Sequence, residues 1–557
     1  MPTVTVVFYN VGYHFGGSDY YPAWFHRDQA VDWMRRAYPL NSLVAWYRST
    51  MFGNASRYMD EYGNWVLSTP SCDQVNSLLM GKKAWDMVFS AGIPTGSHYY
   101  GMVSDVIGFM RGCAIDIPGL VASGPTGTGT WGWDFDGSYG DWYAGHELAH
   151  TYGCGHANYC GAGGGPSYPY AGGRISPSLS GDTAIFGFDV STKAIYGPNW
   201  KDVMTYCDNQ WLGDFTYEGL MSYFQSHPVS PPSDLRSLNQ TDRLLVAGSI
   251  NPETHQVDLA SLYVIPNAGD VETRVPGDYA IVLRGAGGGE LARYPFTPDP
   301  MHIGADPGGK PSVELLAISE LVPYVAGTAR VDVEGPSGLL KSVLAGSNSP
   351  TVNVTSPAGG EVFSGSTITV TWTANDSDGD PLTFSVQYSP DNGASWEMVA
   401  QDLTGNSVVL DTINIAAGQP NQSRFRVWAS DGIHSGSGMS GPFTVPNHPP
   451  TVTITLPAHD VSVTISQTVA LEAEAYDIDQ GTMDDASIQW TSNLDGLLGT
   501  GAQLSIASLT PGQHTVTVMA TDDKGAQATD TVLVTVVGDV TPPAEPVIIY
   551  LPIIVRP

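Results

Sequence analysis

A chain of 557 residues exceeds what one hydrophobic core organises, so several domains are expected. Only 14% of the residues are charged, Gly (64) and Pro (40) are plentiful, and the net charge is -32, which suits strand- and loop-rich extracellular modules better than a helical cytosolic enzyme. Arg424 and Arg426 are the only basic residues between Lys341 and Lys524, so nothing there neutralises phosphates or anionic headgroups, and nucleic acid is excluded as a partner.

The N-terminus lacks the charged and apolar regions of a signal peptide, and a strand-like run begins at Val4; a mature or trimmed chain is expected. No stretch approaches the roughly 20 apolar residues that span a bilayer. A monomer, secreted or held at the cell surface, is the expectation.

Residues 1-228 mix both kinds of element: VTVVFYN, an amphipathic run from Asp28 to Ala37, SLVAWYRS, and a helical stretch from Cys72 to Ser90. They read as an α/β domain. Within it lies HELAHTYGCGH, His146 to His156. On a helix His146 and His150 lie one turn apart on the same face, close enough for both imidazoles to bind one ion, with Glu147 beside them. Gly153 can adopt the left-handed backbone that ends a helix and turns the chain back, bringing in His156. Three neutral imidazoles suit Zn²⁺ and leave a fourth position for water, whose pKa at such sites falls from about 15.7 to about 7. A closed structural zinc site, completed by Cys154, is the less favoured alternative because such sites prefer thiolates.

This segment resembles the metzincin zinc peptidases, whose pattern HExxHxxGxxH it matches at every fixed position. The resemblance extends to a methionine-containing turn, DVMTYC, and maps Met204 onto the methionine beneath the metal. It maps Tyr206 onto a tyrosine that ligates zinc and then swings to stabilise the oxyanion in some members. It implies one catalytic zinc, with Glu147 as general base. The Gly-rich insert from Cys160 to Lys201 matches no nameable subfamily. All five cysteines precede residue 210, and plain disulfides are preferred to further metal ligation. Cys160 with Cys207 would tie the loop after the helix to the methionine turn, Cys72 with Cys113 is a second pairing, and Cys154 is left over.

After residue 228 the sequence PVSPP breaks the pattern; residues 229-237 read as a linker, and 238-346 as a β-sandwich with runs such as RLLVAGSI and DYAIVLRG. From 350 an internal repeat begins: PTVNVTSP returns as PTVTITLP, TWTANDSDGD as EAEAYDIDQG, and VWASDG as VMATDDKG. It implies two tandem immunoglobulin-like sandwiches, 347-447 and 448-538, which resemble the fibronectin-like and PKD-like modules of secreted bacterial enzymes. SPDNGASW, from Ser389 to Trp396, matches a β-hairpin Asp-box and carries no catalytic weight. The tail, 539-557, reads as an edge strand or a sorting signal. Residues 1-228 are expected to be separable from all of this.

Clustered carboxylates in the repeats, Asp376, Asp378 and Asp380 in one and Asp477, Asp479 and Asp522 in the other, suit Ca²⁺ or simple solvation. Trp372, Trp396, Trp428 and Trp490 would stack on glycans if exposed, but buried sandwich tryptophans are the commoner case. The expected function is zinc-dependent cleavage of proteins or glycoproteins. Its rival is a catalytically silent adhesin or glycan-binding scaffold.

Overall fold

A computed structural model describes residues 3-538 apart from 60-64, 90-92, 95, 109-111, 129-137, 163-167, 191-192, 230-240, 269-274, 304-314 and 458-459. The expected tail and most of the expected linker lie outside the described residues. The protein is multidomain and mostly β, and it divides into two compact units, Met1–His448 and Pro449–Pro557.

The first unit begins with mixed α/β structure. Its strands are β1 (Thr3–Phe15), β2 (Ser18–Tyr20), β3 (Ser42–Asn54), β4 (Ser56–Met59), β5 (Trp65–Thr69), β6 (His98–Ser104), β7 (Cys113–Ile115) and β8 (Val121–Thr126). Its helices are α1 (Trp24–Ala37), α2 (Cys72–Phe89), α3 (Gly140–Thr151) and α4 (Asp214–Ser226). The sheet order is β3-β1-β6-β8-β7, with the first four parallel and β7 antiparallel to β8. The central strand β1 is buried on both faces, which is why VTVVFYN reads as a continuous apolar run rather than an alternating one. One face carries α1 and α3 through Trp33, Trp142, Ala144 and Leu148. The other carries α2 through Val75, Leu78 and Leu79.

The sheet does not stop at β7. The strand Asp299–Ile303 pairs with β7 in the register Met301↔Ile115 and Ile303↔Cys113, and is followed by Leu315–Pro323 and Arg243–Ile250. Met301 and Ala317 are buried in the same core as Val75 and Leu79. The opposite edge meets Glu397–Leu403 at Met51↔Ala400. Strands beyond the PVSPP break therefore continue the sheet and the core of residues 1-228.

The strands of 243-344 form a sandwich whose second sheet runs Glu290–Phe296, Tyr279–Gly285, Thr328–Gly335, Gly338–Leu344, closed over Leu244, Ile281 and Ile318. Residues 351-445 make an immunoglobulin-like sandwich around Trp372, Val386 and Phe425. The second unit is another sandwich, packed around Trp490, Val516 and Val534. All four tryptophans considered for glycan stacking are buried, Trp396 most exposed at 6%, so they offer no sugar-binding platform. Among the described residues no helix is long and apolar enough to cross a membrane.

Candidate metal centre

Helix α3 is fixed at both ends before any ligand is considered. The Ser138 hydroxyl accepts from Gly140 N–H at its start. At its end the Thr151 hydroxyl donates to Leu148 O and meets His98 Nδ1, tying the helix to β6. The Tyr38 hydroxyl, beyond α1, donates to the Gly145 carbonyl one residue before the first histidine. His146 and His150 then project from one face with ring centroids 4.9 Å apart.

The helix stops at Gly153, whose φ of +92° is the left-handed conformation its sequence position requires. Gly153 N–H donates to His150 O and Cys154 N–H to Ala149 O, closing the terminus. The chain reverses and brings His156 within 4.5 Å of the His150 ring, centroid to centroid. One ring nitrogen from each of His146, His150 and His156 lies within 4.8 Å of the others, which makes a cluster able to hold a metal.

Hydrogen bonds behind the rings decide which nitrogens face inward. His146 Nδ1 lies 2.7 Å from Val203 O, and His150 Nδ1 2.7 Å from Cys154 O. A carbonyl only accepts, so each Nδ1 carries the proton and each Nε2 presents a lone pair to the cluster. His146 Nε2 is buried and has no hydrogen-bond partner among the described residues, while His150 Nε2 and His156 Nε2 are 3.1 Å apart. Burial and the neighbouring His156 push the His146 pKa down to about 3, keeping the ring neutral and able to ligate. An orphaned lone pair beside two more imidazoles fits a borderline-soft divalent ion such as zinc.

Glu147 is buried next to His146, and desolvation raises its pKa well above the ordinary carboxylate value. Its carboxylate lies against Gly112, where an added Cβ would sit 2.2 Å from Oε1. Met204 is fully buried in the core shared by α1 and α3. Its carbonyl accepts from Ala157 N–H, joining the turn to the chain beside His156. The Tyr206 hydroxyl is 3.0 Å from His156 Nε2. Cys160 is bonded to Cys207 and Cys72 to Cys113, leaving Cys154 as a thiol that burial holds far above its usual pKa.

Three contributors escape a reading of the motif. Asp202 is fully buried and accepts from Met204 N–H, Gly213 N–H and the Tyr168 hydroxyl, so it shapes the methionine turn from beneath. The Val203 carbonyl orients His146, and Gly112 makes room for Glu147. Only Asp202 left a signal, as an Asp two residues before a buried Met. Of the acidic residues considered for calcium, Asp376, Asp378 and Asp380 converge within 4.8 Å, with Asp378 and Asp380 accepting from the 346-348 backbone. Asp477 and Asp522 are buried in the second unit, with Asp479 on the turn beside them.

A family model described as a bacterial Ig domain matches residues 350-418. No metallopeptidase family model matches the chain, and no curated protein matches it. Among solved structures it is similar to the fibronectin(III)-like modules of CbhA from Clostridium thermocellum, at 22% identity over 34% of this chain and 94% of that one, TM-score 0.16. It is also similar to the Ig1-2 module of the Drosophila receptor protein tyrosine phosphatase DLAR, at 14% over 35% and 100%, TM-score 0.13. A third is dimeric latent PorU from Porphyromonas gingivalis, at 14% over 35% and 24%, TM-score 0.17.

Proposed function

We propose that the chain is a zinc-dependent endopeptidase of the metzincin type, secreted or surface-held, that cleaves proteins or glycoproteins. The observation that carries this is the His146, His150 and His156 cluster, with an unpartnered buried Nε2 on His146 and the Glu147 carboxylate alongside. A zinc ion there would be held by His146, His150 and His156 and would supply a Lewis acid able to acidify water and polarise a scissile carbonyl. The Glu147 carboxylate would take a proton from the attacking water and deliver it to the leaving amine, a general acid-base contribution of roughly 10² to 10⁴-fold. The Tyr206 hydroxyl, 3.0 Å from His156 Nε2, would donate to the oxyanion as charge develops. The Val203 and Cys154 carbonyls hold the imidazoles in register throughout. Two disulfides and an Ig-type module support an extracellular setting.

The test compares purified wild type with Glu147→Gln and His146→Ala for zinc content and casein cleavage. Glu147→Gln should keep its zinc and lose cleavage by two or more orders of magnitude, whereas His146→Ala should lose the metal. Equal, metal-independent rates in wild type and Glu147→Gln would sink the peptidase reading. The bacterial Ig domain would then favour the adhesin alternative.

A further inference from the structure

The two immunoglobulin-like repeats carry the same carboxylates in matching places, yet balance them differently. Aligning TANDSDG with AYDIDQ and VWASDG with VMATDD pairs Asp376 with Asp477, Asp378 with Asp479, and Asp431 with Asp522. In the first repeat Asp376 Oδ2 is likewise without a hydrogen-bond partner among the described residues, but a histidine is set against the third carboxylate, Asp431. Asp431 Oδ1 accepts from the Ile433 and His434 N–H groups, and Oδ2 lies 3.1 Å from His434 Nδ1. His434 Nε2 lies 2.9 Å from Thr328 O, which can only accept, so that nitrogen must donate. A ring that donates to a carbonyl from one side and to a carboxylate from the other is an imidazolium, and its pKa is raised by Asp431 foremost and by Asp376.

No histidine occupies the equivalent turn of the second repeat, which reads Asp522 to Ala526. Asp522 Oδ1 accepts from the Lys524 and Ala526 N–H groups, and the Lys524 ammonium contacts the exposed Asp523 at 3.7 Å. Asp477 Oδ1 accepts from the Asp479 and Gln480 N–H groups. The other oxygen, Asp477 Oδ2, is buried without a hydrogen-bond partner among the described residues, on a side chain only 1% exposed. Gln480 Oε1 accepts from Asp523 N–H and holds the two turns side by side. Burial, then Asp479 and Asp522, raise the Asp477 pKa, so the three carboxyl groups bear on one another. An unbonded carboxylate oxygen buried beside two more carboxylates is costly unless a cation joins it.

We propose that Asp477, Asp479 and Asp522 form a Ca²⁺ site in the second unit, at turns that lack the histidine the first repeat sets against Asp431. Oxygen-only donors on two turns suit a hard cation that tolerates irregular geometry and completes its shell with water. The three do not converge as tightly as the histidine cluster, so binding draws the half-buried Asp479 inward and orders both turns.

The test is hydrogen exchange, read by mass spectrometry on the zinc-loaded full chain, with and without about 5 mM Ca²⁺, a concentration set by the 10⁻⁴ to 10⁻³ M affinities of extracellular modules. Calcium should slow exchange in peptides covering 476-482 and 521-527. Asp477→Asn and Asp522→Asn should abolish the effect, Asp479→Asn should weaken the apparent affinity at least tenfold, and Asp376→Asn should leave it intact. Unchanged exchange patterns around Trp490 verify that each variant is folded. No calcium response in the wild type, or one that survives both buried-Asp substitutions, overturns the site; a protonated Asp477 would then account for the orphaned oxygen.

Discussion

Gly112→Ala adds one methyl group at the point where the sheet meets the proposed general base. Its Cβ would lie 2.2 Å from Glu147 Oε1 and 2.5 Å from Cγ, against about 3.5-4.0 Å for an ordinary contact. Neither backbone can retreat easily. Cys113, the next residue, is bonded to Cys72 and paired in register with Ser123 of β8. Helix α3 is held by Tyr38 at Gly145 and by His98 at Thr151. The carboxylate must therefore swing by more than about 1 Å, and a reacting group displaced by that distance loses on the order of 10²-fold in rate. Overpacking of this kind costs about 1-3 kcal/mol of stability. The three atoms nearest the new methyl group all belong to Glu147 and none to an imidazole, so zinc content should stay at the wild-type value while kcat/KM on casein-derived peptides falls about a hundredfold. Gly287→Ala, whose Cβ would meet nothing within 4 Å, is the control and should match wild type. Wild-type turnover and melting temperature in Gly112→Ala would refute the placement of Glu147, and loss of zinc together with activity would refute the claim that the carboxylate alone is displaced.

Tyr206→Phe removes the hydroxyl 3.0 Å from His156 Nε2 and should lower kcat by up to roughly 10² to 10³-fold with normal zinc content; an unchanged kcat removes Tyr206 from the mechanism. Truncation after residue 228 strips Met301 and Ala317 from the core beneath α2 and unpairs the outer edge of β7. Losing a buried methionine alone costs about 2-5 kcal/mol, so the fragment should melt far below the full chain or aggregate through the bared edge, and a cooperative, active 1-228 fragment on a circular-dichroism melt would contradict this.

The histidine cluster is legible in the sequence because its geometry is local. Spacing of four on a helix fixes His146 against His150, and a glycine that must adopt a φ of +92° fixes where the chain turns toward His156. The parts that tune the cluster were not legible, since backbone acceptors carry no side-chain signature. Nothing in the letters at Val203 or Cys154 says that their carbonyls set the imidazole tautomers. Gly112 is likewise an ordinary loop glycine until β7 is seen beside Glu147. The acidic clusters show the same limit: the repeats announce matching carboxylates, but only the structure shows that His434 is set against Asp431 and that Asp477 Oδ2 is buried without a hydrogen-bond partner among the described residues.

Beyond residue 228, the strand Asp299–Ile303 that docks on β7 is hard to read from its letters. Its sequence, DPMHI, contains a proline, and proline inside a short run argues against a sheet strand because it removes a ladder donor. Here the Pro300 carbonyl still accepts from Asp116 N–H, which is enough to dock the strand on β7 and to bury Met301 completely. Helix α2 makes the same point from its outer face, where Lys82 would be assigned to solvent by its letter alone. Lys82 is instead 1% exposed, donates to Met398 O at 2.7 Å, and is pushed down to a pKa of about 7 by burial. One turn on, Trp85 packs against Tyr263 and Trp428 from the two following sandwiches. A lysine desolvated by a neighbour that arrives hundreds of residues later cannot be recognised from helical periodicity, which scores each face against water. Helix α2 therefore packs on the sheet through Val75 and Leu79 and on the two following sandwiches through Trp85, and the 243-344 sandwich braces the sheet edge that borders Glu147 as well as extending the chain.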